Sequence, residues 1–403
     1  MTAVEPASAE GPTAGGSGPA VGGEPGRPAR EPAGEAFGTG AVRSVALGPF
    51  RLESGAVLPE LVVAYRHDGP PPAAAPQVLV VHALTGSADA AGDWWEPLIG
   101  PGRAFDTDRC GVLCANLLGG RYGTTGPRTT DPATGEPYGR RFPAVTPRDQ
   151  ALAQWTLLDA LGMGELALVT GGSLGGMVAQ EIALVRPGAV RVLVPIASPA
   201  AIGALAMAWN HIQVAVIERL GIDGMGLARQ LAMTTYRSEA DFDSRFTGRH
   251  EADGRPSVVS YLDHQGRKLI GRFDPDTYVT LATAMDRHDI GRDRGGVEAA
   301  LATLRAGAGS GIGTRTASDS RGTAVVGLGI EGDILFGPVQ VRALVEAARA
   351  AGLPARYEEL RSTKGHDAFL VEWDQLTEIL RRALDEAATR GSHPAHVSQR
   401  SHG

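Results

Sequence analysis

Five short runs of apolar, mostly β-branched residues recur along the chain, and they limit its fold more than any other feature. They are "QVLVVHAL" (Gln77 to Leu84), "GVLCANLLG" (Gly111 to Gly119), "LALVT" (Leu166 to Thr170), "VRVLVPIAS" (Val190 to Ser198) and "TAVVGLGI" (Thr323 to Ile330). A strand that is apolar at every position needs cover on both faces, which a parallel sheet between two helical layers supplies. Helical patterns lie between the runs. "TPRDQALAQWTLLDALG" has a capping Thr146, Pro147 at the first helical position and a closing Gly162, and "VQVRALVEAARAAG" closes likewise at Gly352. This alternation predicts a doubly wound, mostly parallel α/β sheet built from residues 41–200 and 295–387. Residues 201–294 break the alternation with mostly helical sequence. They are expected to form a helical cap over the carboxyl edge of the sheet, where ligands bind in open α/β folds.

The ends read differently. Met1 to about Gly40 is Ala, Gly, Pro and Glu with almost no large apolar residue, and 388–403 is similar. Such segments cannot bury enough surface to offset the entropy of ordering, so both are expected to be disordered tails. His393, His396 and His402 in the second tail have no cysteine or acidic neighbour, which favours a solvated tail over a metal site. Gly307 to Gly322 reads as an irregular loop. A net charge of −7 without a basic block argues against a nucleic-acid partner. No apolar stretch approaches the roughly 20 residues that cross a bilayer, and the N-terminus carries no secretory pattern. The two cysteines, Cys110 and Cys114, sit together in an apolar run and suit buried thiols rather than a disulfide framework. These features predict a cytoplasmic globular protein that needs no metal.

The third run leads directly into "GGSLGGM", in which Gly171-Gly172-Ser173-Leu174-Gly175 is a G-x-S-x-G sequence. The helix that follows has apolar positions at Leu174, Val178, Ile182 and Val185. At a strand-to-helix turn this pattern makes a nucleophile elbow: small residues let strand and helix pass closely, and the serine oxygen is lifted above the sheet. The helix N-terminus there favours developing negative charge.

Serine at its ordinary pKa is a weak nucleophile and needs a base held by an acid. In this fold they follow in the order Ser, Asp/Glu, His. His366 in "STKGHDAFL" is the base candidate by order and loop position, and Asp333 in "GIEGDILFG" is the acid candidate just after the fifth run, with Glu331 as its rival. The histidines at 67, 82, 211, 250, 264 and 288 lack that context. An oxyanion needs two backbone N–H donors. Leu174, after the nucleophile, is one candidate, and Leu84, in the loop after the first run, is the other.

Several segments together carry a more specific signal: "VHALTGSADA", "DWWEPLIGPGRAFDTDR", "CANLLGGRYGTTGP", "GRRFPAVTPRD", "GGSLGGM" and "KGHDAFL". With them the chain resembles the homoserine O-acetyltransferases of the α/β-hydrolase fold, from about Leu52 to Leu384. The resemblance implies ping-pong acyl transfer, in which Ser173 takes an acetyl group from acetyl-CoA as co-substrate and passes it to the hydroxyl of L-homoserine, a step of methionine biosynthesis. It implies that Arg229, in "GMGLAR", holds the acceptor carboxylate, that Tyr236 lines the same pocket, and that Asp367 contacts the acceptor's amino group. It further implies a homodimer with contacts through the cap. For Asp367 a second role, modulating the neighbouring His366, stays open. Two departures matter: the segment from "WN" to "GLAR" is short, and "EGDILFG" stands where the family often reads "SD-x-LFP". They leave succinyl-CoA as an alternative donor and serine or another alcohol as an alternative acceptor. A carboxylester hydrolase on the same scaffold is the competing function.

Overall fold

Strands buried on both faces must alternate their side chains between two cores, and the chain does so. The computed structural model describes residues 37, 40–305 and 322–391. Within them an eight-stranded sheet is formed by β1 (Val42–Ala46), β2 (Val62–Asp68), β3 (Gln77–Val81), β4 (Gly111–Ala115), β5 (Leu166–Gly172), β6 (Val190–Ile196), β7 (Ala324–Ile330) and β8 (Ala355–Leu360). Its order is β1-β2-β4-β3-β5-β6-β7-β8. The first two strands are antiparallel to their neighbours and the other pairs are parallel. Leu79, Val81, Val169 and Leu193 enter one core, with α1 (Pro147–Ala160) and α2 (Leu174–Val185). Val78, Val80, Leu168 and Val192 enter the other, with α9 (Trp373–Gly391).

The elements α3 (Ala204–Tyr236), α4 (Glu239–Phe246), α5 (Ser257–Ile270) and α6 (Pro275–Met285) lie between β6 and β7. The long α3 kinks at Gly221, whose φ of 60° and ψ of −127° are not helical. Further on it packs closely on α5: a Cβ at Gly266 would lie 2.8 Å from the Gly226 carbonyl oxygen. Behind β7 come α7 (Val297–Ala302), which precedes it, and α8 (Pro338–Ala350), which follows it.

Element boundaries differ from the sequence expectations in instructive ways. The runs at Gln77 and Gly111 end as strands at Val81 and Ala115, because the turn residues after them, such as Leu117 and Leu118, are themselves buried. The third run extends two residues further, to Gly172. Helix α1 starts as expected, with Thr146 and Asp149 forming a reciprocal capping box before Pro147. The second tail begins later than 388, since α9 continues to Gly391 and Arg390 pairs with Glu386 at 3.1 Å. Within the first expected tail, Phe37 packs edge-on against His67 with ring centroids 4.9 Å apart, and the Gly40 N–H donates to Asp68 Oδ1 at 3.3 Å. The rest of both tails, His393, His396 and His402 with them, and residues 306–321 of the expected loop lie outside the described residues.

A buried charge network ties the sheet's helices to the chain that leaves α6. Glu181 of α2, 3% exposed at its side chain, accepts Arg294 at 2.6 Å and Arg148 of α1 at 3.3 Å. Arg148 and Arg292 both reach Glu53 at 2.9 Å. Removing one partner of such a cluster strands the opposite charges in a poorly solvated place. Glu181→Ala is therefore expected to lower unfolding stability in urea by about 3 kcal/mol or more. A loss below about 1 kcal/mol, the value typical of exposed pairs, would contradict this reading.

Candidate active site

The elbow forms because its glycines have no room to be anything else. A Cβ at Gly171 would lie 2.5 Å from the Val81 carbonyl oxygen, and one at Gly175 would run into the same atom. Strand β5 and helix α2 thus converge on the end of β3. Between them Ser173 is held at φ 58°, ψ −125°, a region that side-chain-bearing residues avoid. Its N–H donates to the Ile196 carbonyl at 2.9 Å, which anchors the turn to β6.

Asp333 and His366 meet across this turn. Asp333 follows β7, and its Oδ1 accepts the N–H groups of Leu335 at 2.8 Å and Phe336 at 3.0 Å. Its Oδ2 lies 2.7 Å from His366 Nδ1. Both side chains are buried. Glu331 is exposed, so the geometry selects Asp333 of the two acids. Burial works against the His366 cation, but the charge and hydrogen bond of Asp333, with the charge of Asp367, outweigh it and raise the pKa above its ordinary 6.5. With Nδ1 engaged by the carboxylate, Nε2 has no hydrogen-bond partner among the described residues. Rings surround it: Phe336, Phe369 and Tyr236 lie with centroids 5.5, 5.6 and 5.7 Å from the imidazole.

Ser173 and His366 line a cavity of about 650 Å³, and Leu84, Arg229, Tyr236 and Asp367 line it too. Of the eight candidates, then, six face one space. Asp333 lies behind His366. Leu174 is fully buried as the first residue of α2, where a helix N–H has no acceptor within the helix. Arg229 reaches in from α3 and stacks over the Tyr236 ring at 5.3 Å. Among the described residues it makes no ion pair. Burial, outweighing the pull of Arg237, Arg229 and His366, raises the Asp367 pKa. Burial likewise raises that of Tyr236.

Other residues of this space escaped sequence reasoning. Trp94, Asn116, Tyr122, Lys268 and Arg272 also line the cavity. Asn116 had a visible signal, since it directly follows β4 at the sheet's carboxyl edge. Its side chain accepts the Ala88 N–H at 2.6 Å and donates to the Tyr122 carbonyl at 2.7 Å, holding two loops together. Arg237, which meets Asp367 at 3.2 Å, had none. The remaining buried histidines are structural. His82 accepts the Leu117 N–H at 3.0 Å, so its Nδ1 donates to Ala83 O at 2.8 Å, and burial lowers its pKa to about 4. His288 pairs with the Pro199 carbonyl and His67 with Gln77. Both cysteines are free and buried, and burial pushes the Cys110 thiol up to about 12.

If His366 acts as a base, its neutral form does the work. The acid limb of the activity profile should then lie above pH 6.5, because the raised pKa keeps the ring protonated at lower pH. Asp333→Asn should move the limb down and cost roughly 10⁴-fold in rate by favouring the wrong tautomer. Glu331→Gln should change little. Measured pH–rate profiles of the three proteins check this, and a reversed order of the two variants would assign the acid to Glu331.

The sequence profile of the alpha/beta hydrolase fold matches residues 76–372. A homoserine O-acetyltransferase of Moorella thermoacetica is 39% identical over 368 residues, which span 84% of this chain and 94% of that protein. One from Thermus thermophilus is 42% identical over 360 residues, with 82% and 88% covered. Among solved structures, esterase E22 superposes with a TM-score of 0.75 at 22% identity, covering 85% of this chain and 99% of that one. At that identity it speaks for the fold alone.

Proposed function

The chain belongs to the homoserine O-acetyltransferase family of α/β hydrolases, and from that premise we propose that it transfers an acetyl group from acetyl-CoA to the hydroxyl of L-homoserine. The observation that carries the reading is the convergence of Ser173, His366, Arg229 and Asp367 on one cavity. A hydrolase needs the first two and has no use for a cation and an anion placed to grip an amino acid.

In the first half-reaction His366 Nε2 takes the proton of Ser173 Oγ as that oxygen attacks the thioester carbonyl. The N–H groups of Leu174 and Leu84 receive the oxyanion, where fixed dipoles cost no reorganisation. The C–S bond breaks, and the thiolate of CoA leaves with the proton from His366. In the second half-reaction His366 removes the proton of the homoserine hydroxyl, which attacks the acetyl-serine. The bond to Ser173 Oγ breaks, and that oxygen regains the proton. Arg229 offers a forked cation for the acceptor carboxylate, and Asp367 offers an anion for its ammonium. The hydroxyl is then left facing the acyl group. The product, O-acetylhomoserine, serves methionine synthesis, and no resident cofactor is required.

Acetyl-CoA is preferred over succinyl-CoA here, and homoserine over serine, on the ground of the family relationship. The same reading makes the protein a cytoplasmic homodimer. Among the described residues no helix is long and apolar enough to cross a membrane. The exposed Leu205, Ile212, Leu220, Ile222 and Leu227 of α3 support pairing through that helix.

Arg229→Ala tests the acceptor site. It acts on the second half-reaction, so acetyl-enzyme should still form at a similar rate. Transfer to homoserine should lose about 2–4 kcal/mol in kcat/KM if the pair is desolvated, while slow hydrolysis of the acyl-enzyme survives. Unchanged homoserine turnover would favour the esterase.

A further inference from the structure

The junction between α3 and α4 tracks the loop of His366 almost residue for residue. The Tyr236 ring lies 5.7 Å from that of His366. Arg237 Nε is 3.2 Å from Asp367 Oδ2. The Ser238 hydroxyl donates to the Thr363 carbonyl. Asp241, 1% exposed at its side chain, accepts Lys364 Nζ at 2.9 Å. Gly365, at φ 65°, passes so close that a Cβ there would lie 2.6 Å from Ser238 N.

Arg237 is the member of this set whose purpose is not explained by packing. Asp367 lines the cavity and Arg237 does not, so the guanidinium stands behind the carboxylate rather than in the substrate's space. Its second neighbour is Asp241, at 3.9 Å. Asp241 is already engaged by Lys364 and by Arg245, the latter at 3.2 Å. A carboxylate has lone pairs on two oxygens. Arg237 Nε lies at ion-pair distance from Oδ2 of Asp367 without hydrogen-bond alignment, so its hold on the carboxylate is one of charge and leaves the carboxylate's lone pairs to a cation in the cavity.

We propose that Arg237 is a positioning residue for the acceptor: from the cap side it holds Asp367, ionised and aimed, for the ammonium group of the incoming amino acid. The proposal rests on the acceptor reading of Asp367 given above. The charged groups facing Asp367 are Arg237, Arg229, His366 and Asp333. Burial favours the protonated acid, and Arg237 is the strongest of the three groups that oppose it. Without Arg237 the carboxyl would take up its proton at higher pH and could no longer hold an ammonium ion there.

The test compares wild type, Arg237→Ala and Arg237→Lys as full chains, with thermal melts to establish folding. Arg237→Ala should raise the KM for homoserine and lower its kcat/KM by roughly thirtyfold or more, the lower end of the cost of removing one partner of a buried charge pair. The acid limb of that profile should move to higher pH. The burst of acetyl-enzyme from acetyl-CoA, measured on the alkaline plateau, should change far less. Arg237→Lys should restore the limb in large part, since it returns the charge without the fork. Unchanged homoserine KM and limb would overturn the proposal. Equal losses in burst and transfer with the limb in place would also overturn it, because they indicate a merely structural role. If the wild type forms acetyl-enzyme yet shows no homoserine-dependent turnover, it is the acceptor reading itself that fails. That result is distinguishable because it appears before any substitution is made.

Discussion

The left-handed backbone of Ser173 is the constraint on which the site depends. It persists because β5 and α2 both press on the end of β3, leaving no space for a Cβ at Gly171 or Gly175. Strain of this kind costs on the order of 1–3 kcal/mol and survives only where the surroundings over-determine it. Here they do: β5 and α2 are almost wholly buried, and Glu181 locks α2 through two arginines. The rigid scaffold offsets the local cost and leaves the hydroxyl fixed at a helix N-terminus.

Around that fixed point the electrostatics are graded. Asp333 receives two backbone N–H groups, which hold it in place while its other oxygen engages His366. The histidine is thereby oriented and made more basic than usual despite full burial. Asp367, its sequence neighbour, adds to the same effect, and Arg237 offsets part of Asp367's charge from behind. One loop thus carries both His366 and Asp367, the two groups proposed to move the proton and to hold the acceptor. The cap junction grips that loop through Arg237, Ser238 and Asp241. On the proposed function, acceptor binding and the basicity of His366 are linked through the carboxylate of Asp367.

How much of this was legible in the sequence follows from where each signal lies. The inner strands announced themselves because burial on both faces makes every residue apolar. Strands β1 and β2 were missed: β1 alternates between exposed and half-buried positions, and β2 ends in "YRHD" with Arg66 paired to Asp68. Ser173, Asp333 and His366 could be found because a turn pattern and a chain order define them. The sequence already favoured Asp333 over its rival Glu331, and the structure brings Asp333 to His366 while Glu331 stays exposed. Arg229, Tyr236 and Asp367 were readable through family resemblance alone. Arg237, Lys268 and Arg272 were not readable at all. Their meaning depends on which element they face across the cavity, and no local spacing encodes it.

The proposed acyl transfer passes through one covalent species, acetyl-Ser173. Intact-mass spectrometry after rapid mixing with acetyl-CoA measures it directly. The protein should gain the mass of a single acetyl group, the gain should be absent in Ser173→Ala, and homoserine should discharge it while O-acetylhomoserine appears. An unmodified wild-type protein that nonetheless turns over, or an adduct that persists in Ser173→Ala, would contradict the account.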